Sequence, residues 1–493
     1  MRQVVHIFKK DFHCLWSHVL RVLILTGLFA WSNGQGGILQ KGGTFDLTTA
    51  YGWIAMIQSL LPILLPIAWW YLIAAVISQE ALPGEEQFWL TRPYSRPQLA
   101  TAKILFILAF VNLPMLVAHC VILHDQGFPV LSHVPGLLLA QLMIFALWLM
   151  PAIALAVACR NLWQFLGSGL VSFVVLFISA AALHLNYGSG AESLRWCVFV
   201  TLLAVVSLSI LIWQYWQRRT ALAWTAVVCG FLLALIIPRI PTQGAMWDWQ
   251  LARSRLPQLG SAVQIVFEPR PRPQSLPYAN GYGGREVDLP LRVTGLPDET
   301  ELWADYVAFT IESHDGTLWK DKVQIRTGAD ATHWQTMWID QAVLDRIKNE
   351  PVTLHVSAYL TLTKRMSTTR LTVKNTLVDV PDWGRCSFQT VQSSWQVWCL
   401  NPFRTPGVWT TYEAHDPSQP RAIDSNFPYT EHGTYLPLPE QVDLSPLTLI
   451  SNFNGVGGLT DAILITTKVP VARSRRDFEI RDIHLADYEA HER

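Results

Sequence analysis

Long apolar stretches alternate with short polar ones in the first half of the chain. Apolar runs without Asp or Glu recur at 52–78, 104–124, 135–158, 163–185, 196–213 and 221–237. A membrane-spanning helix needs about 20 apolar residues, because the hydrocarbon core of a bilayer is about 30 Å thick. The pattern therefore predicts six transmembrane helices. The shorter run 19–31, which contains Arg21, adds a seventh at the start.

The residues before that first span show the period of an amphipathic helix. Its apolar positions are Val5, Phe8, Phe12, Leu15 and Val19, while Lys9, Lys10 and His13 fall on other faces. This pattern predicts an interfacial helix over residues 1–18; the alternative is that these residues simply begin the first membrane helix. We expect no cleaved signal peptide, because charged and aromatic residues intrude and no small-x-small cleavage site follows.

The second half of the chain has a different periodicity. Short alternating, β-branched stretches occur at 262–268, 306–313, 352–363, 369–380, 462–469 and 478–485, with one amphipathic helix at "DQAVLDRIKN". They predict one or two antiparallel β-sandwiches, with a break near "VPDWGR", and a proline-rich spacer or edge at "EPRPRPQSLP". The expected fold is a polytopic α-helical membrane domain of six to seven spans over 19–237, after the interfacial helix 1–18, followed by an all-β, sandwich-like extracytoplasmic domain over 238–493.

The distribution of charge gives an orientation. The chain is 51% hydrophobic and carries 37 basic and 37 acidic residues, but residues 1–240 have a formal charge of +6 and the remainder has −6. With the N-terminus in the cytoplasm, the inner loops and ends contain Arg2, Lys9, Lys10, Arg92, Arg96, Lys103, Arg160, Arg218 and Arg219, and the short outer loops contain Lys41 and Arg195. Because basic residues concentrate on the cytoplasmic side, seven spans deliver the β-rich half to the outer side.

Two cysteines provide a separate argument for that location. Cys386 and Cys399 are the only cysteines in the polar half, within "CSFQTVQSSWQVWC". A hairpin that turns at Gln392 and Ser393 places them directly opposite each other, at a separation that suits a disulfide. Disulfides persist outside the cytoplasm, so we predict a Cys386–Cys399 bond; the alternative is a pair of buried thiols in a reducing compartment.

The loop "GEEQFWLTRPYSRPQLATAK" lies between the second and third predicted spans and carries a recognisable array. Its members are Glu80, Gly84, Pro93, Ser95, Arg96 and Lys103, at a spacing without gaps. The array resembles the ABC-2 class of ATP-binding-cassette transporter permeases, in which Glu ends the second span and Lys opens the third. The N-terminal "FKKDF" resembles the interface helix of that class. The resemblance covers roughly residues 1–215, and the seventh span and outer domain are additions to the usual six-span permease.

The resemblance implies a non-catalytic permease subunit, commonly an exporter, in a bacterial inner membrane. No GxxxxGK[ST] motif occurs, so ATP and Mg²⁺ are expected in a separate ATPase subunit. The loop would contact that subunit through Phe88, Trp89 and Leu90. Charged residues would orient it: Glu85, Glu86, Arg92 and Arg96. The alternative is that these aromatic and basic residues only anchor the loop at the membrane surface. The other expected partners are the lipid bilayer and a second permease copy or subunit, and no nucleic acid.

Other chemistry finds little support in the sequence. HExxH, CxxC and GxSxG are absent, so we expect no catalytic, cofactor-binding or metal-binding residues in this chain. His119 is expected at an outer membrane interface, or else in a proton pathway, and Asn112 with Pro114 predicts a packing adjustment or a kink. A second hypothesis is a membrane-anchored sensing or binding protein whose outer β-domain recognises a ligand or envelope partner.

Overall fold

The computed structural model describes most of the 493 residues. The residues outside its description are 1, 35–49, 80–95, 160, 185–188, 215–219, 237–242, 272–283, 315, 317, 327–331, 373, 382, 392–393, 403–408, 416–445, 457–461 and 491–493. Most of the predicted loop array and the proline-rich segment beyond 271 therefore lie outside the described residues.

Helices occupy every apolar run of the first half. They are α1 Arg2–Gly34, α2 Ala50–Ser78, α3 Arg96–Ile107, α4 Leu113–Asp125, α5 Val134–Ile144, α6 Met150–Ala158, α7 Leu162–His184, α8 Ser189–Ile212 and α9 Thr220–Ile236. A further helix, α10 Gln243–Arg253, follows the last apolar run. Short π-helical segments, Leu108–Asn112 and Phe145–Leu149, join α3 to α4 and α5 to α6. Within the described residues, four stretches are long and apolar enough to cross a membrane: Arg2–Asn33, Leu60–Ser78, Pro97–Asp125 and Val130–Ala158. Val198–Ile212 and Ala221–Gly230 are shorter apolar helices.

The outward faces of these helices are aliphatic. Leu142 is 59% exposed, Leu170 is 67% exposed and Val205 is 56% exposed. Water solvates such a continuous apolar surface poorly, whereas lipid chains cover it without cost. The helical half is therefore the membrane part of a membrane protein.

The first helix differs from the sequence prediction in its continuity. Residues 2–18 and the first span form one helix of 33 residues, about 50 Å long, with no break between them. Its buried face contains Ile7, Asp11, Leu15 and Val19, whereas Val5 of the predicted apolar face is 51% exposed. The face is rotated because Asp11 has a partner inside the bundle, described below.

A proline follows each of the two π-helical segments that join α3 to α4 and α5 to α6, at the same distance. Pro114 lies two residues after Leu108–Asn112, and Pro151 lies two residues after Phe145–Leu149. Proline lacks the N–H that would continue the helical ladder, and a local widening of the helix accommodates that loss. The packing adjustment predicted at Asn112 and Pro114 thus takes the form of a π-helical segment.

The described residues of the β-rich half form twelve strands, one short α-helix and a 3-10 helix, Leu485–Tyr488. The strands are β1 Gln264–Phe267, β2 Gly284–Thr294, β3 Thr300–Ser313, β4 Leu318–Arg326, β5 Thr332–Asp340, β6 Pro351–Thr372, β7 Lys374–Val380, β8 Gly384–Val391, β9 Ser394–Pro402, β10 Trp409–His415, β11 Leu447–Val456 and β12 Ala462–His484. The predicted helix is α11, Gln341–Ile347, and the carboxylate of Asp340 caps its N-terminus. The described pairings are antiparallel and form sheets in the orders β1-β2-β5, β10-β12-β6-β3-β4 and β11-β9-β8-β7.

Two long strands run through both packing layers of this half. One end of β6 and β12 packs with the β1-β2-β5 sheet around Val287, Phe309 and Val356. The other end packs with the β11-β9-β8-β7 sheet around Leu371 and Ile463. The stretches 462–469 and 478–485, predicted as two strands, are therefore one strand, β12. The stretch 352–363 lies in β6, which continues to Thr372, so the predicted strand 369–380 is divided between the end of β6 and β7.

The predicted boundary at "VPDWGR" is wrong, because this segment is a turn within one sheet. Val380 ends β7 and pairs with Gly384 at the start of β8. The change from one layer to the other occurs instead along β6 and β12, where register shifts lie between Thr467 and Ala472. Alternation alone does not reveal that a strand continues through such irregularities.

The disulfide predicted from the hairpin register is present. Cys386 and Cys399 are directly paired across β8 and β9, with their Cα atoms 4.1 Å apart and their sulfurs bonded. Val391 pairs with Ser394, as a two-residue connection requires. Both cysteines are buried, so the bond is shielded from solvent.

A polar cluster attaches α10 to the central sheet. Tyr359 donates from Oη to Asp248 Oδ1 at 2.8 Å, and Arg475 contacts both oxygens of the same carboxylate at 3.1 and 3.2 Å. Burial, followed by the hydrogen bond to Asp248, raises the pKa of Tyr359 above its usual value, so its hydroxyl remains a donor. Because α10 also contacts α8, this cluster joins the β-domain to the membrane helices.

Candidate functional site

The predicted loop site lies at one end of the membrane bundle, between α2 and α3. The predicted coupling residues in its undescribed part are Glu80, Gly84, Glu86, Phe88, Trp89, Arg92, Pro93 and Ser95. The structure describes what flanks them: α2 ends at Ser78, and α3 begins at Arg96. The site is therefore defined here by the two helix ends that hold the loop and by Lys103.

Lys103 joins three helices at that end of the bundle. Its Nζ atom lies 2.8 Å from Asp11 Oδ2 and donates to the backbone carbonyl of Val76 at 2.9 Å. The side chain of Lys103 is 5% exposed and that of Asp11 is fully buried. The last residue of the loop array thus connects the helix after the loop with the helix before it and with α1.

Burying this ion pair costs free energy, and removing one of its partners destabilises the fold. Removing two charges from water carries a penalty of several kcal/mol per ion, which their mutual attraction and added hydrogen bonds must offset. Val76 supplies one such hydrogen bond to the ammonium. Lys10 lies 3.7 Å from the other oxygen of Asp11, Oδ1, which has no hydrogen bond from the described residues.

Aromatic rings pack beside the pair and hold α1 against the third apolar helix. The ring centroids of Phe8 and Phe106 are 5.7 Å apart, those of Phe12 and Phe110 are 5.3 Å apart, and Phe106 and Phe110 are 4.8 Å apart. Such ring pairs stabilise packing by about 0.5–1.5 kcal/mol each beyond their buried area. The contact between α1 and α3 therefore combines charge with well-defined ring packing.

Sequence reasoning identified Lys103 but did not identify Asp11 as its partner. The available signal was position: Ile7, Asp11 and Leu15 are spaced by four residues, so a carboxylate lies on an otherwise apolar helix face. A buried acid in a membrane protein calls for a basic partner, and Lys103 is a base at the mouth of an apolar helix. The two residues are 92 positions apart, however, and nothing local connects them.

A second polar group lies deeper in the bundle. Asn112 donates from Nδ2 to Gln141 Oε1 at 3.2 Å, and Gln141 Nε2 lies 3.4 Å from His119 Nδ1. His119 is fully buried and therefore faces α5 rather than an aqueous interface. The expected position of His119 near an outer membrane interface stays a prediction, and the group forms a polar contact between neighbouring helices.

The bundle also contains a small apolar cavity of about 40 Å³. It is lined by residues of α2, α6, α7, α8 and α9, among them Trp70, Ala154, Phe199 and Val227. A cavity that holds a benzene molecule has about 150 Å³, so this space is too small for a preformed substrate site. Among the described residues, no group of three His, Cys, Asp or Glu side chains is arranged to hold a metal ion.

Comparison with protein families and curated proteins found no relative of the chain. No protein-family model matches the chain, and no curated protein is detectably similar to it. The likeness to ABC-2 permeases thus depends on the loop array between α2 and α3 and on the residues around it.

Proposed function

We propose that the chain is the membrane-spanning permease subunit of an ATP-driven transporter, and that the loop between α2 and α3 contacts a separate ATPase. The observation that carries the proposal is the position of Lys103. This residue closes the loop array and binds Asp11 and Val76, so a force applied to the loop would reach three helices at once.

The proposal also includes the finer topology. We take α7, α8 and α9 as membrane spans in addition to the four long apolar stretches, which gives seven spans, a cytoplasmic N-terminus and an outer β-domain. The contact of Arg385 with Gln126 supports the relative arrangement, because it attaches the β-domain at the end of the third apolar stretch that lies away from the loop. That stretch, Pro97–Asp125, has 29 residues and a length of about 44 Å, enough to separate the loop and the β-domain by a bilayer.

Co-purification tests this function directly. The intact protein is isolated from membranes beside a Phe88→Ala/Trp89→Ala/Arg92→Ala variant, and the associated proteins are identified by mass spectrometry. We expect the native chain to recover an ATP-binding-cassette ATPase and the variant to recover at least tenfold less, because loss of a central interface residue costs about 2 kcal/mol or more.

The matched control is Trp163→Ala. Trp163 is 82% exposed at the start of α7, a helix end that the proposed topology places on the same side as the loop. Its replacement removes an exposed aromatic residue without touching the loop, so ATPase recovery should be unchanged. Equal recovery with the loop variant, or no ATPase with the native chain while a control transporter keeps its own, contradicts the proposal.

A second candidate is a membrane-anchored sensing protein that uses its β-domain for recognition. The attachment of the β-domain to membrane helices through Asp248 and Arg385 favours it, since a domain held in this way can pass a binding event to the bundle. Absence of an ATPase partner in the experiment above would favour this candidate.

A further inference from the structure

We propose that the β8–β9 hairpin is a docking element that holds the end of α4 against the β-domain, and that the Cys386–Cys399 disulfide maintains its shape. This role of the hairpin goes beyond the proposed transport function and does not depend on it. It concerns the turn Gln126–Phe128, which follows α4, and two paired residues of the hairpin, Arg385 and Leu400.

Arg385 makes the polar part of the contact. Its Nη1 atom donates to the backbone carbonyl of Gln126 at 2.6 Å, although the two residues are 259 positions apart. Carbonyl groups at the C-terminal end of a helix lack helical partners and carry partial negative charge, so a guanidinium is well suited to this position. Asp379, directly across from Arg385 on β7, holds the guanidinium from the other side with its Oδ1 atom 3.0 Å from Nε.

One glycine makes room for this contact, and a second allows the strand pairing beside it. Gly127 has φ +79°, and a Cβ atom at this position would lie 2.4 Å from Arg385 Nη1. Gly384, the neighbour of Arg385, has φ +149°, and a Cβ atom there would lie 2.2 Å from the carbonyl oxygen of Leu400. Gly127 therefore suits the backbone angle of the turn and leaves space for the Arg385 side chain, and Gly384 leaves space for the pairing of β8 with β9 next to Arg385.

Leu400 makes the apolar part of the contact. It is 4% exposed and belongs to the same buried cluster as Phe128 and the membrane helices. Within the described part of the chain, it is the one β-domain residue among the buried members of that cluster. Leu377 of β7 packs against the cluster as well. Because Arg385 and Leu400 are directly paired, one rung of the hairpin supplies both the hydrogen bond and the apolar contact.

The disulfide occupies the next rung of the same hairpin. Successive residues of a strand point to opposite faces, so Cys386 and Cys399 face away from Arg385 and Leu400. The cysteines pack instead against Val380 and Ile463 in the core of the β-domain. The hairpin thus has one face fixed to the β-domain by the disulfide region and the other applied to the membrane helices.

Hydrogen–deuterium exchange on the intact protein in lipid nanodiscs tests this inference. The reporters are the backbone amides of Gln126, Gly127 and Phe128, which donate to the carbonyls of Ile122, His124 and Leu123. We expect Arg385→Ala to accelerate their exchange at least tenfold, and Arg385→Lys to accelerate it less. The matched control is Arg370→Ala, at an exposed position of β6, which should leave the reporters within twofold of the native chain.

A Cys386→Ala/Cys399→Ala variant tests the role of the disulfide, and we expect it to accelerate exchange at the same three amides. If both Arg385 variants leave these amides within twofold of the native chain, the docking inference is overturned. If the Arg385 variants accelerate exchange and the cysteine variant does not, the docking contact stands and the role of the disulfide is overturned. If Arg385→Ala does not fold, the exchange rates of the three amides in Arg385→Lys, which keeps the positive charge, decide whether the docking contact exists.

Discussion

The ammonium group of Lys103 lies 2.8 Å from the carboxylate of Asp11, in a position that water does not reach. Loss of one partner leaves the other charge buried and alone, and such changes cost about 3–5 kcal/mol. We therefore expect Asp11→Leu and Lys103→Met to lower the thermal unfolding midpoint of the detergent-solubilised protein strongly, each by itself.

The double variant separates charge pairing from packing at this position. With both charges removed, Asp11→Leu/Lys103→Met should regain most of the lost stability, because apolar groups of similar size often replace a buried pair at little cost. A double variant that is as unstable as the sum of the single variants would show that the two residues act independently.

The Cys386–Cys399 bond should also stabilise the fold. The two residues are 13 positions apart, and closing a loop of this size stabilises a fold by about 3 kcal/mol in the chain-entropy description. We expect a Cys386→Ala/Cys399→Ala variant to melt at a lower temperature than the native chain under non-reducing conditions. Cys14→Ser is the control, because Cys14 is an exposed free thiol, and it should leave the midpoint unchanged.

The periodicity of this sequence was sufficient to predict most local structure and one disulfide bond. The apolar runs became helices, and the hairpin register of Cys386 and Cys399 became a disulfide, because each depends on neighbouring positions or on a short loop. Strands β2, β4, β5, β10 and β11 were missed. In the stretch "REVDLPLRVT" of β2, Val287, Leu289, Leu291 and Val293 alternate with polar residues, but Pro290 inside the run lowers the signal for a strand.

The contacts that join the parts of the molecule could not be predicted in the same way. Lys103 pairs with Asp11, which is 92 positions away in the sequence, and Arg385 donates a hydrogen bond to Gln126, which is 259 positions away. Such pairs depend on how the helices and sheets come together, which a single sequence does not specify. Of the predicted loop site, only Arg96 and Lys103 lie among the described residues, so its action on a partner stays a prediction.

The attachment of α10 to the central sheet depends on the hydroxyl group of Tyr359. This hydroxyl donates to Asp248, and hydrogen bonds to charged groups contribute about 1.5–3 kcal/mol in general. Since Arg475 remains on the same carboxylate, we expect Tyr359→Phe to cost less, about 1–2 kcal/mol of unfolding free energy in chemical denaturation.

Tyr488→Phe is the control for this change. Tyr488 is also a buried tyrosine of the β-domain, and it packs edge-on against Phe267. Its hydroxyl has no carboxylate-linked hydrogen bond among those seen in the described part of the chain, so its loss should have a smaller effect. Equal effects of the two substitutions would contradict the special role of the Asp248 contact.

The β-domain should lose a small part of its stability in acid through Glu479. The hydrogen bond from Arg481, at 2.7 Å, is the largest cause that holds the pKa of Glu479 below its usual value. A carboxyl group whose pKa is lowered by folding contributes its stabilisation above the pKa of the unfolded chain, about 4.3 for Glu, and loses it as the pH falls through the lower folded value. Both side chains are substantially exposed, so salt also weakens the contribution.

The measurement compares thermal midpoints of the native chain and Glu479→Gln from pH 7 down to pH 3 at low salt. We expect the native chain to be slightly more stable at pH 7 and the difference to shrink as the pH falls below about 4.3, because the protonated native carboxyl then resembles the amide. Arg481→Gln should reduce the pH dependence, since it removes the largest cause of the lowered pKa and leaves the contact of His355 Nδ1 with Glu479 Oε1 at 3.2 Å. A difference that stays constant over this range would assign the effect of Glu479→Gln to something other than the ion pair with Arg481.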